Sequence, residues 1–261
     1  MLFRKDFLDQ ISYRFSFFLE AGGIAFYTLT FYFIAEMFGG GVPNLERYGG
    51  DYFSFVLVGL AFSSFLNISL DTFSTAVRDE QMQGTLEALL ATPTSPAAFF
   101  LARLLWNFVH SGLHVIGYFI LGIVFLSASY SRANASAVPL IVILSLLAFN
   151  GLGMISAGFI IAFKRGNPLN ILLGFASAFL GGVYFPVEMF PEVLRKAAAL
   201  VPVTYSLRLM RDACINGAGF RELAPDFIVL AAMCAVLVPC GALFFNWALR
   251  RAKRDGSLTH Y

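Results

Sequence analysis

Long apolar stretches and short polar intervals alternate along the chain. The apolar stretches cover roughly residues 17–38, 52–73, 100–127, 138–163, 169–185 and 227–249. About 20 helical residues cross a hydrocarbon layer of about 30 Å, and a helix satisfies its own backbone there. Each stretch is therefore predicted to span a membrane as an α-helix. The fifth is the shortest, and GGVYFPVEMFP, residues 181–191, follows it as a break that keeps the chain near the far surface. Ahead of the first span, Phe3, Phe7, Ile11 and Phe15 recur every four residues, while Arg4, Lys5, Asp6, Asp9, Gln10 and Arg14 take the other side. This pattern predicts an amphipathic helix over residues 1–16 lying in the interface. Asp6, Asp9 and Glu20 interrupt the pattern of a signal peptide, so the helix is expected to be retained. Residues 186–226 are too polar to cross and too apolar for a free loop. They are predicted to form short helices that enter from the outer side and are supported there by protein.

Composition agrees with an all-α integral membrane fold. Of 261 residues, 58% are hydrophobic and 13% charged, 30 are Phe, and the mean hydropathy is +0.74. No large soluble domain remains, and membrane lipid is the expected surroundings. A net charge of +2 argues against a nucleic-acid partner, and Cys214, Cys234 and Cys240 share no metal-ligand spacing. Lysines and arginines in the short flanks set orientation. Lys164, Arg165 and the cluster Arg250, Arg251, Lys253 and Arg254 place both termini in the cytoplasm of a cell (inner) membrane protein. Arg195, Lys196, Arg208, Arg211 and Arg221 on the other side weaken that contrast.

With an even number of spans, residues 78–96, RDEQMQGTLEALLATPTSP, also lie on the cytoplasmic side. Arg78, Asp79 and Glu80 end the second span, Gly84 breaks the helix and Thr85 can cap the next one. Leu86, Leu89 and Leu90 then form an apolar stripe before Pro93 and Pro96. By composition this is equally a capped helical loop and a docking element.

Chemistry within the chain is sparse. None of the four lysines follows a glycine, so no phosphate-cradling GxxxxGK[ST] loop exists. Glu20, Glu36 and Asp71 lie near predicted span ends, which leaves an ion-coupled carrier or channel little to hold its ion. His110 and His114 sit one turn apart, but Ser111 follows the first where a zinc protease has Glu, and no third ligand is legible. Interhelical hydrogen bonding is the preferred reading of the pair, with no metal and no catalytic residue assigned. For a substrate pathway the candidates are Ser63, Asn67 and Asp71 on the second span and Tyr184 and Phe185 beyond the fifth. Asn67 has a plainer alternative, a hydrogen bond to a neighbouring helix. Small residues recur at Gly174, Ala178 and Gly182, and at Gly151, Gly153, Ala157 and Gly158. These are packing faces, more simply within one subunit than between two.

Two blocks carry a family resemblance. In the first, Glu80, Gly84, Thr85, Leu86, Glu87, Leu89, Leu90, Thr92 and Pro93 match E-x-x-x-G-T-[LF]-E-x-L-[LM]-x-[ST]-P. In the second, Gly181, Gly182, Phe185, Pro186, Pro191, Pro202, Thr204, Tyr205 and Arg211 match a Gly pair, FP, a further Pro, then P-x-T-Y and an Arg. In that order, with six spans and an interfacial N-terminal helix, they resemble the permeases of the ABC-2 type transporters.

The resemblance implies a permease subunit of an exporter that pairs with a second copy or a related permease. It would dock on two copies of a separate ATP-binding subunit, so that ATP and Mg are bound by the partner and no cofactor by this chain. Residues 78–96 become a coupling helix, with Arg78 joining the matched residues at the contact. Gly174, Ala178, Gly182, Tyr184, Phe185 and Pro186 become dimer interface and extracellular gate. The cargo expected is hydrophobic or amphipathic: a drug, an antibiotic or a lipid-like molecule. Polysaccharide-exporting relatives begin with a basic segment leading into L-G-x-x-W, which is absent here and lowers that alternative.

Overall fold

A computed structural model describes residues 14–38, 45, 48, 51–82, 96–126, 128, 130, 132–163 and 168–254. The interfacial helix expected before Arg14 lies outside the described residues, as does most of the coupling segment, from Gly84 to Pro93. The helices are α1 (Arg14–Phe38), α2 (Tyr52–Met82), α3 (Pro96–Ile120, continued by a π-helical turn Leu121–Phe125), α4 (Val138–Phe163) and α5 (Pro168–Leu180). After a 3-10 turn (Val187–Met189) come α6 (Glu192–Ala198), α7 (Pro202–Cys214) and α8 (Phe220–Arg254). Among the described residues there is no strand, and α1, α2, α3 with its π turn, α4 and α8 are long and apolar enough to cross a membrane.

The fifth apolar stretch behaves differently from its neighbours. Instead of running to 185, its helix stops at Leu180, and 13 residues rise only about 20 Å. The stop is a glycine cap. Gly182 adopts φ +74°, its N–H bonds to Phe179 O at 3.2 Å, and the Val183 N–H reaches back to Ala178 O at 3.2 Å. Both bonds are those of a left-handed helix terminus, which satisfies carbonyls that would otherwise be stranded.

The last helix departs in the other direction. It begins at Phe220, inside the predicted re-entrant interval, because the Glu222 carboxylate accepts the Gly219 N–H at 3.0 Å and closes the N-terminus in the manner of a capping box. Asp51 does the same for α2, accepting the N–H groups of Phe53 at 3.0 Å and Ser54 at 3.2 Å.

Helix α2 is the central post. It touches α1, α3, α4, α5 and α7, and Phe62, Phe65 and Phe149 of α4 form an edge-to-face ladder within its main core, with centroids 5.9 and 5.4 Å apart. Among the described residues the most extensive helix–helix contact is that of α4 with α8. A Cβ built on Gly241 would stand 2.5 Å from Gly151 O, and one on Gly151 would stand 2.9 Å from the backbone of Leu237. On its other side α4 meets α2, where a Cβ on Gly153 would stand 2.5 Å from Ser69 O. The small residues of α4 therefore serve contacts within the subunit.

Candidate transport cavity

Four of these helices, α1, α2, α3 and α5, and the turn after α5 line a cavity of about 740 Å³. Ser63, Asn67 and Asp71 recur every four residues on one face of α2, and that face lines the cavity. Opposite lie aromatic groups: Tyr27 of α1, Trp106 and Tyr118 of α3, and Phe175 of α5. A polar stripe thus faces an aromatic wall. A molecule with an apolar body and a few polar groups could satisfy both sides of such a chamber.

Asn170 holds the Asp71 end. Its Nδ2 donates to Asp71 Oδ1 at 2.8 Å, Ser74 Oγ at 2.8 Å and Leu70 O at 3.0 Å. The Ser156 hydroxyl donates to Asn170 Oδ1, so α2, α4 and α5 share one polar knot. A second, fully buried knot lies behind α2. There Asn107 Nδ2 donates to Asn150 Oδ1 at 2.8 Å, and the hydroxyls of Ser111 and Ser69 donate to Asn107 Oδ1 at 2.5 and 3.5 Å. Asparagines inside apolar segments were the available signal for both knots, since such groups find partners across helices.

Of the residues assigned above to interface and gate, Gly174 faces inward. A Cβ there would stand 2.7 Å from Asn67 Oδ1. Ala178 and Tyr184 also line the cavity, and the Tyr184 ring stacks on Phe31 with centroids 5.3 Å apart. Gly182 and Pro186 are buried, and Phe185 packs edge-on against Phe179 and Phe190 at 5.6 and 5.3 Å. The exposed residues of α5 are Ile171, Leu172, Phe175 and Phe179; Ile171 and Phe175 stand at the rim of the cavity, with Phe175 75% exposed. Arg78 and Glu80 fall on the last turns of α2. Gly84, Thr85, Leu86, Glu87, Leu89, Leu90, Thr92 and Pro93 lie outside the described residues.

Arg211 anchors the turn after α5. Its Nη1 donates to Gly182 O at 2.9 Å, Nη2 to Val183 O at 3.0 Å and Nε to Phe55 O at 3.2 Å. Only 3% of the residue is exposed. Burial lowers its pKa to about 10, against the opposing pull of Tyr48 and Glu188, so the guanidinium stays charged at neutral pH. The residue appears in the family-like block, but its partners lie far from it in sequence.

One cluster is new. Glu20 of α1 approaches both histidines of α3: its Oε2 lies 3.4 Å from His110 Nε2 and 3.3 Å from His114 Nε2. The two imidazoles meet edge-to-face at 4.9 Å, and Trp106 stacks on His110 at 6.0 Å. The His114 Nδ1 lies 3.3 Å from Ser64 Oγ of α2. The histidine spacing was visible in the sequence, while the carboxylate is separated from them by most of the first two spans.

Fold and cavity together define a multi-pass helical membrane protein built around a polar-striped chamber. The family model described as ABC-2 type transporter matches residues 1–215, and the chain belongs to that family, one of transport permeases rather than enzymes. Among its relatives, Nodulation protein J of Rhizobium leguminosarum bv. viciae is 28% identical over 193 residues, 73% of this chain and 71% of that protein. The Inner membrane transport permease YhhJ of Escherichia coli (strain K12) is 26% identical over 191 residues, 70% of this chain and 47% of its own length. The Linearmycin resistance permease protein LnrN of Bacillus subtilis (strain 168) is 24% identical over 131 residues, 49% of this chain and 34% of that protein. The matches thus take in about half of YhhJ and a third of LnrN.

Proposed function

We propose that this chain is the permease subunit of an ATP-driven exporter that carries a hydrophobic or amphipathic molecule across the cytoplasmic membrane by alternating access. The observation that carries this reading is the cavity, where Ser63, Asn67 and Asp71 face Tyr27, Trp106 and Tyr118. Membership of a transport permease family supports it, as does a relative named for resistance to linearmycin. Energy enters from a separate ATP-binding subunit, two copies per assembly, seated on the segment around Gly84–Leu90. There the leucine stripe enters a groove on the motor, and Arg78, Glu80 and Glu87 fix the register. Two permease copies meet through the outer face of α5, with Phe175 and Leu172 across the two-fold axis. The inward-facing Gly174 and Ala178 support the cavity wall from within. Both termini lie on the cytoplasmic side.

The test is reconstitution. Copurified with its ATP-binding subunit in proteoliposomes, the permease should show ATP hydrolysis stimulated by amphipathic compounds. Asn67→Phe, which narrows the chamber, should remove most of that stimulation in a variant that still elutes as a folded, monodisperse complex. Transport that proceeds without ATP and stops when an ionophore collapses the ion gradient would overturn the reading in favour of an ion-coupled carrier.

A further inference from the structure

We propose that Glu20, His110 and His114 form a binding site for a divalent transition-metal ion of the zinc class, bridging α1 and α3 beside the cavity. The donor set is right in kind: two imidazole nitrogens and a carboxylate oxygen are ligands that zinc takes up. All three ligand atoms lie within 4.8 Å of one another.

The distances suit an ion site. A charge-assisted N–H···O bond to a carboxylate closes to about 2.7–2.9 Å. Two ligands on a tetrahedral ion at about 2.0–2.1 Å stand about 3.3–3.4 Å apart along an edge. The observed separations are 3.3 and 3.4 Å, and both converge on a single carboxylate oxygen, as two edges of such a tetrahedron would.

The surroundings have the form of a supporting shell. In the tautomer that donates from Nδ1 to the Ser64 hydroxyl, His114 turns its Nε2 lone pair toward Glu20, the arrangement by which a second-sphere partner orients a metal-binding imidazole. Trp106 fixes the ring plane of His110 by stacking. Side-chain exposure is 33% for Glu20, 20% for His110 and 14% for His114, low enough to strengthen ligation yet open enough for entry. His110 also lines the cavity, which leaves a fourth coordination position for water or another donor on that side. Ionisable groups within apolar segments are costly unless paired or functional, and a single cation could be shared by all three.

The experiment uses the full chain in detergent, with any affinity tag removed and adventitious metal stripped by chelator. Titration with Zn²⁺ should give one tight site per chain, and Co²⁺ in its place should develop the visible absorption of a tetrahedral nitrogen–oxygen site. His110→Ala combined with His114→Ala should abolish both signals. Ser64→Ala, which frees the His114 ring, should weaken Zn²⁺ by about tenfold. Absence of tetrahedral Co²⁺ bands in the unmodified chain overturns the proposal, whatever the variants do. Unchanged Zn²⁺ affinity in a double variant that elutes as a folded species overturns it as well.

Discussion

The guanidinium carbon of Arg211 lies 3.4 Å from the centroid of the Phe55 ring. This cation–π contact joins two residues 156 positions apart, and together with three backbone acceptors it ties α2, α7 and the turn after α5 into one unit. An arginine suits the position because its planar fork reaches several carbonyls at once while its face stacks on the ring.

Removing Arg211 should therefore loosen the packing of α2, α7 and this turn. Arg211→Leu takes donors from Phe55 O, Gly182 O and Val183 O and should cost about 3 kcal/mol or more. Arg211→Lys keeps the charge without the fork and should fall between the two. Thermal unfolding in detergent, with monodispersity on size exclusion as a second readout, checks the order wild type, Lys, Leu.

The approach of α2 to the same turn depends on Gly59. A Cβ there would stand 2.2 Å from Val183 O and 3.0 Å from Arg211 Nη2, and the first neighbour is backbone that a rotamer change cannot move aside. Gly59→Ala should destabilise by about 1–3 kcal/mol. Gly22→Ala provides the contrast: nothing lies within 4 Å of the added atom, so it should be neutral or stabilise by up to about 1 kcal/mol. Melting temperatures of the pair in the same detergent decide the point.

For the proposed coupling segment, Glu87→Arg should leave the protein inserted and dimeric while uncoupling ATP hydrolysis from transport. The measurement is substrate-stimulated ATPase activity of the copurified complex. Retained stimulation would remove residue 87 from the contact with the motor.

On the outer face of α5, Phe175→Glu should convert a permease dimer to monomer without lowering its melting temperature. Light scattering of the detergent complex reports the mass. A dimer that survives the substitution would shift the interface to another helix.

The order of elements was written in local properties of the chain. Hydropathy and length reveal which stretches can cross a membrane, because burial in lipid depends on the segment itself. Spacing along α2 placed Ser63, Asn67 and Asp71 on one face for the same reason: helical periodicity is local. The end of the fifth stretch was less legible. Hydropathy continues through Val183, Tyr184 and Phe185, whereas the helix stops where Gly182 enters the left-handed region. The start of α8 was similarly hidden in a single capping contact between Gly219 and Glu222.

By itself, then, the sequence determined a helical membrane protein, its succession of apolar helices and the family whose two motif blocks it carries. What faces each helix was decided only by the tertiary structure, because a periodic pattern defines a face without naming the neighbour that covers it. Thus Gly174 turned toward Asn67 and left Phe175 outward. Arg211 found its acceptors on two distant segments. Glu20 was brought from another span to the two histidines that spacing alone could only pair with each other.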